Sequence, residues 1–435
     1  MSVKCHQCGV ETTLESAFFK SRKSFSSIHQ FYCPSCWLKV GNAAAKKCLL
    51  LDLGLGLFGL LMVFFYPDFH WGYLLSNLLF FQMSLILTIV PHELGHAITA
   101  RLLGERVFMI RIGTGRNLWK FDGWGFRFEI QTIPSGGLVF VAPPSLDCLR
   151  IKKFVHVAAG PMVNLLLVGA ILPFLDFELH DYFPAWSNKL FPGYALLYAN
   201  LYVLVINLWP RNARSSFGMS ASDGKQLLQA LFMSKEKCQS LHRTYYLLET
   251  GFLYKHGSKE KALECVDQGL ELYPNYPLLL SSKGALLLEM GELEKALSIF
   301  KHALSHVDGK QQVLRARLLN DIAYADVIYG GEECIKEADT YSKDAFDAIG
   351  WNAAIRGTRG AVLVAVGQVD EGISLLKESM EQIDVLNGKA QNACLLAEAE
   401  YLRGNPELGA DYLTEARKLD PKCMLIPRVE RLLHR

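Results

Sequence analysis

A chain of 435 residues leaves room for two to four domains, and a formal net charge of +2 excludes a dedicated nucleic-acid binder. Hydrophobic residues make up 51% and crowd ahead of residue 211, the pattern of a membrane part followed by a soluble one. The first forty residues are polar and cysteine-rich and do not read as a secretory leader, so the eleven cysteines are not expected to build a disulfide framework.

Residues 1–45 contain Cys5-His6-Gln7-Cys8 and Cys33-Pro34-Ser35-Cys36. Each Cys-x-x-Cys closes a tight turn that aims two thiolates at one point, and two such turns give a tetrahedral four-sulfur Zn²⁺ site. A segment this short cannot bury a stable core, so the metal would supply its folding energy. The segment resembles a zinc ribbon. The rival, a redox dithiol, needs a neighbouring βαβ pattern that is absent. His6 and His29 read as surface residues, because four sulfurs already close the shell.

Residues 46–235 read as a membrane helix bundle of about four spans. Lys46 and Lys47 precede an apolar run from Leu49 to Tyr66, near the ~20 residues that cross a bilayer. Asp52, close to the basic end, can snorkel or pair. A second run, Tyr73 to Leu103, carries no charge over its first nineteen residues and then reads His92-Glu93-Leu94-Gly95-His96. Histidines at i and i+4 leave one helix face one turn apart, which suits two nitrogens on one Zn²⁺ with Glu93 beside the open position. Ionisable groups this deep in an apolar helix mark a site by default.

Residues 105–145 are too polar to span. Val107 to Ile112, Leu118 to Phe121 and Phe126 to Ile133, with Asp122-Gly123 and Trp124-Gly125 between them, predict a surface β-hairpin. Pro134-Ser135-Gly136-Gly137-Leu138-Val139 follows. An exposed strand edge there is suited to pairing with an unwound substrate, or else the hairpin is simply structural. A third span, Phe154 to Leu175, carries Gly160-Pro161 and Asn164, a polar side chain that needs a partner. His156, at a helix end, reads as structural rather than as a ligand. A fourth span runs from Phe191 to Trp209. Asn207-Leu208-Trp209-Pro210 and then Ser222-Asp223-Gly224 follow, and Asp223 is the carboxylate that would complete the metal shell. Residues 101–153 hold nine Lys/Arg against four Asp/Glu, so this loop, both termini and the zinc are expected on the cytosolic side.

Residues 236–435 are soluble and repetitive. Ala262, Val266 and Gly269 recur as Ala296, Phe300 and Ala303, a spacing of 34. Ala338, Ser342 and Ala345 echo them, followed by Gly360, Gly372 and Leu376, and then by Leu413 and Ala416. This period resembles tetratricopeptide repeats, about five units stacked as an α-solenoid with a concave face for a cytosolic protein partner.

Three motifs of the membrane half, His92-Glu93-Leu94-Gly95-His96, Gly160-Pro161-Met162-Val163-Asn164 and Asn207-Leu208-Trp209-Pro210 with Ser222-Asp223-Gly224, resemble the site-2 protease family of intramembrane zinc metalloproteases. The Pro134 to Val139 segment is similar to the Pro-x-Gly-Gly stretch of bacterial members, hence an expected place in a bacterial inner membrane. The resemblance implies His92, His96 and Asp223 as zinc ligands, Glu93 as catalytic, and Asn164 near the substrate as an oxyanion donor or strand holder. Family members often carry an apolar residue where Ser222 stands, and here a polar loop separates Pro210 from Asp223. The expected whole is a mainly α, multi-pass zinc metalloprotease acting on membrane-spanning proteins, with one catalytic and one structural zinc. The competing readings are a catalytically silent scaffold that recruits partners through its repeats, and a transporter, for which four spans make a poor conduit.

Overall fold

The computed structural model describes residues 2–4, 11–13, 18–21, 29–32 and 34–433, apart from 176–188, 216–217, 310, 330–331 and 384. The chain divides into two units, Pro34–Leu248 and Met1–Cys33 with Glu249–Arg435. Four short strands, β1 (Ser2–Lys4), β2 (Glu11–Thr13), β3 (Phe18–Ser21) and β4 (His29–Tyr32), form antiparallel pairs β1–β2 and β3–β4. Cys5, Cys8, Cys33 and the side chain of Cys36 lie outside the described residues, so the expected four-sulfur site does too.

The uncharged runs of the first half become helices α1 (Pro34–Phe65), α2 (His70–Leu102), α3 (Leu149–Ile171) and α4 (Pro192–Leu208). Lys46–Phe65, His70–Leu102 and Leu149–Phe174 are long and apolar enough to cross a membrane, whereas α4 is a shorter apolar helix of 17 residues. The expected four-helix bundle is present, with its fourth member shorter than a full span. Leu51, Leu57, Leu61, Phe64 and Phe65 project outward from α1, exposed. Such a surface has no stable place in water and suits hydrocarbon. Two hydrogen bonds satisfy polar side chains inside the bundle, as a medium without water demands. Gln82 donates to Asp52 Oδ2 at 2.9 Å, and Asn77 accepts from the Phe191 backbone N–H at 2.8 Å, fastening the start of α4 to α2.

Between α2 and α3 the chain forms the antiparallel pair β5 (Arg106–Gly123) and β6 (Phe126–Ala142). The two-residue turn is Trp124-Gly125, with φ of 50° and 79°, the doubly left-handed geometry that matches strand twist. The hairpin is longer than expected, since Pro134 to Val139 belongs to β6, with Gly137 opposite Ile112 and Val139 opposite Ile110. Val107, Ile110 and Ile112 pack against Ala97 and Ala100 of α2, which seats the hairpin on the half of α2 that carries the histidines. After α4, β7 (Asn212–Ser215) pairs with β8 (Gly218–Ala221), and α5 (Asp223–Leu231) follows.

The second unit is an array of antiparallel helix pairs. It is built from α6 (Lys235–Lys255, which begins in the first unit), α7 (Lys259–Leu272), α8 (Pro277–Glu289), α9 (Leu293–Ser305), α10 (Gln312–Tyr329), α11 (Glu332–Ile349), α12 (Ala353–Ala365), α13 (Val369–Gln382), α14 (Leu386–Leu402), α15 (Pro406–Leu419) and α16 (Ile426–Leu433). The second helix of each pair buries three residues one turn apart: Ala262, Val266 and Gly269; Ala296, Phe300 and Ala303; Ala338, Ser342 and Ala345; Gly372, Leu376 and Ser379; Gly409, Leu413 and Ala416. Small residues beside a larger one let the helices close on each other. This is the physical content of the 34-residue period, and the array is tetratricopeptide-like.

Asp326 on α10 is 2% exposed, and its Oδ2 has no hydrogen-bond partner among the described residues. Burial pushes its pKa up to about 6, with Lys301 opposing and Glu337 adding to the shift. A carboxyl raised above its ordinary 3.8 destabilises the folded state once ionised. Asp326 therefore favours the folded repeats most below about pH 4, and roughly 3 kcal/mol of stability is lost as pH rises from there through 6. Asp326→Asn should flatten this dependence. Amide hydrogen exchange of α10 at pH 5 and pH 7, corrected for intrinsic rates, measures it. An unchanged pH dependence in the variant would place its source elsewhere.

Candidate metal centre

Four residues of α-helix turn by about 400°, so His92 and His96 leave α2 on one face. Their Nε2 atoms lie 3.2 Å apart. Asp223 Oδ2 lies 3.1 Å from His92 Nε2 and 3.4 Å from His96 Nε2. These three are the one group of His, Cys, Asp and Glu ligand atoms among the described residues arranged to hold a metal ion. Zinc bonds of roughly 2.0–2.2 Å in a tetrahedron set ligand-to-ligand edges of about 3.3 Å, so the triangle fits the ion.

The other ring nitrogens are committed elsewhere. His92 Nδ1 lies 2.6 Å from Asn164 Oδ1, and His96 Nδ1 lies 2.8 Å from the His156 carbonyl. Both partners accept, so each Nδ1 carries the proton and each Nε2 presents its lone pair inward. Asn164, fully buried, is oriented in turn by Asn200 on α4, whose Oδ1 accepts from Asn164 Nδ2 at 3.0 Å. Asn200 Nδ2 donates to the Leu196 carbonyl at 2.9 Å. A chain of amides thus runs from the α4 backbone to the first histidine. Gly160 of α3 faces both rings: a Cβ there would stand 2.3 Å from His96 Nε2 and 2.9 Å from His92 Nε2.

Asp223 reaches the site because the polar loop after Pro210 folds into β7 and β8 and returns the chain to the end of α4. Ser222 is the pin. Its Oγ donates to the Trp209 carbonyl at 2.7 Å, accepts from Arg211 N at 3.0 Å, and caps α5 by accepting from Lys225 N at 3.4 Å. That is why a hydroxyl stands at this position. A Cβ at Gly224 would lie 1.8 Å from the Leu208 carbonyl, so only glycine lets α5 start this close to α4. Asp223 is 13% exposed. An ionised carboxylate and two inward lone pairs form a cation-seeking donor set.

Glu93, buried, lies under β6. A Cβ at Gly137 would come within 2.5 Å of three of its side-chain atoms, so the strand backbone passes directly over the carboxyl. Asn207 Nδ2 lies 3.4 Å from His92 Nε2. The sequence marks Asn207 only as a motif residue, yet its amide borders the metal position. Asn200 has no motif at all. Its one signal is a polar side chain in an apolar helix, which must find a partner. His156 lies outside the ligand triangle, and its carbonyl serves the site.

Two helix-borne imidazoles, an acid between them in sequence and a carboxylate from a following helix define a metallopeptidase-type centre among apolar helices. Residues 80–252 match the model of peptidase family M50, which bears out the site-2 protease resemblance. A putative zinc metalloprotease of Helicobacter pylori (strain J99) is 44% identical over 57 residues, 13% of this chain and 16% of the relative. The regulator of sigma-E protease of Escherichia coli (strain K12) is 33% identical over 106 residues, 23% of this chain and 24% of the relative. The chain thus matches about a quarter or less of these relatives' own lengths. A solved tetratricopeptide-repeat protein of Thermus thermophilus aligns with 44% of this chain and 100% of its own, at 21% identity and a TM-score of 0.35.

Proposed function

We propose that the chain is an intramembrane zinc metalloendopeptidase that hydrolyses peptide bonds of membrane-spanning proteins. The observation that carries this reading is the convergence of His92 Nε2, His96 Nε2 and Asp223 Oδ2 within 3.4 Å of one another inside a bundle with apolar outer faces. Zinc held by these three residues would supply a Lewis acid at that point. Glu93 takes the proton of the attacking water and returns it to the leaving amine. Asn164 holds His92 in the tautomer that faces inward. With its Oδ1 and one N–H already engaged, this positioning is its first role, and any donation to the oxyanion uses its remaining N–H. The amide of Asn207 borders the same space. A substrate segment, unwound locally, would lie along the β6 backbone above Glu93, where Gly137 leaves room.

The appendages complete the proposal. Cys5, Cys8, Cys33 and Cys36 hold a second, structural zinc. The repeats of residues 236–435 tether a cytosolic partner or the substrate's own tail and raise its concentration at the site. The basic loop 101–153, both termini and the catalytic zinc face the cytosol of a bacterial inner membrane. Metal analysis of the purified chain is expected to give about two zinc ions, and Asp223→Ala about one. Two zinc ions retained in Asp223→Ala would remove Asp223 from the shell.

A further inference from the structure

Behind His96 lies a second buried polar group that the hydrolytic machinery does not use. The α2 helix ends in a left-handed turn at Gly104, with φ of 76°. Gly104 N donates to the Arg101 carbonyl at 3.0 Å and Glu105 N to the Ala100 carbonyl at 2.9 Å. These two bonds are the Schellman pattern, which fixes the direction in which the chain leaves the helix. It turns Glu105, 5% exposed, back toward α3, where its Oε2 pairs with Nδ1 of His156, itself 4% exposed.

Lys153, one turn earlier on α3, places Nζ 3.3 Å from His156 Nε2. An ammonium only donates, so Nε2 is the accepting nitrogen and Nδ1–H is given to Glu105. The ring is held at both ends. The backbone carbonyl of this same His156 accepts from His96 Nδ1 at 2.8 Å. Pro161, five residues on, has no N–H to offer the Val157 carbonyl, so the helix is least self-supporting next to the carbonyl that His96 uses. A closed loop results: α2 carries His96, its cap delivers Glu105, Glu105 grips the His156 ring, and the His156 carbonyl orients His96.

We infer that Glu105 and His156 are positioning residues for the metal centre, a clamp that sets the ring of His96 through the backbone of residue 156. Neither touches the metal position, and neither lies in any of the three motifs. The inference rests on the zinc reading of the site. Releasing the clamp lowers the affinity for metal without removing a ligand, because the His96 ring then samples orientations that do not face His92 and Asp223.

The test is the Zn²⁺ dissociation constant of the site lost in His92→Ala, measured on the full chain by competition with a chelator, together with the visible spectrum of the Co²⁺-loaded protein. Glu105→Leu is expected to weaken Zn²⁺ binding on the order of 10-fold and to shift the cobalt bands, which report ligand geometry. Glu105→Gln keeps an acceptor for His156 Nδ1–H and is expected to keep both affinity and spectrum. If Glu105→Leu does not fold, the pair Glu105→Leu with His156→Leu replaces both partners by apolar groups, a change far gentler on stability, and is expected to show the same loss. Wild-type affinity and spectrum in a folded leucine variant would overturn the inference, as would equal losses in Glu105→Gln and Glu105→Leu. If the wild-type chain bound no zinc that depends on His92, the zinc reading itself would fall, and this inference with it.

Discussion

Gly160→Ala should empty the catalytic site while leaving both histidines and Asp223 in the sequence. One methyl group at residue 160 would stand 2.3 Å from His96 Nε2, 2.5 Å from its Cε1 and 2.9 Å from His92 Nε2. Those are the atoms and the space that the ion needs. Neither ring can retreat, because each Nδ1 is tied to a buried acceptor. The expected result is a loss of zinc affinity of roughly 100-fold or more, with cleavage falling alongside. A Cβ at Gly169 of the same helix would meet nothing within 4 Å, so Gly169→Ala should keep metal and activity and gain slightly in helix stability. Zinc analysis of the two variants side by side is the check. A full complement of zinc in Gly160→Ala would mean that the rings do not converge where the geometry puts them.

Glu93→Gln is the second large effect, and it separates chemistry from binding. Glutamine has nearly the shape of glutamate and fits beneath Gly137, so zinc content and fold should be unchanged. Its amide has no basic oxygen to receive a proton from water. Loss of a positioned general base typically costs about 10²–10⁴ in rate, so cleavage should fall below about 1% of wild type. More than about a tenth of the wild-type rate remaining would show that another group takes the proton.

The parts of this architecture that repeat at short range are readable in the residues alone. His92 and His96 are four apart, and helical geometry does the rest. Ala262, Val266 and Gly269 recur 34 residues on as Ala296, Phe300 and Ala303, because each pair of helices must bury the same wedge. Composition leaves Asp52 between snorkelling and pairing, and only the packed bundle assigns it to Gln82. Residues joined across long separations are harder to read. Asn200 orients Asn164 from 36 positions away, and Glu105 grips His156 from 51. Neither spacing has a helical or strand period, so no pattern in the chain announces it. The hairpin is similar: alternation locates its strands, but the inclusion of Pro134 to Val139 in β6 depends on the register with Ile110 and Ile112. The ends of α4 fall where hydropathy puts them, but the contacts at those ends, Phe191 with Asn77 and Leu208 with Gly224, are set by packing that hydropathy does not show.

If one zinc centre hydrolyses peptide bonds within the membrane, the most direct measurement is cleavage of a single-span test protein by the purified, zinc-loaded chain in detergent or lipid vesicles. Cleavage within or beside the span, stopped by a zinc chelator and restored by added Zn²⁺ in wild type but not in Glu93→Gln, is the predicted result. Cleavage that Glu93→Gln performs as well as wild type, or a zinc-loaded wild-type chain that leaves every single-span substrate intact, would contradict it.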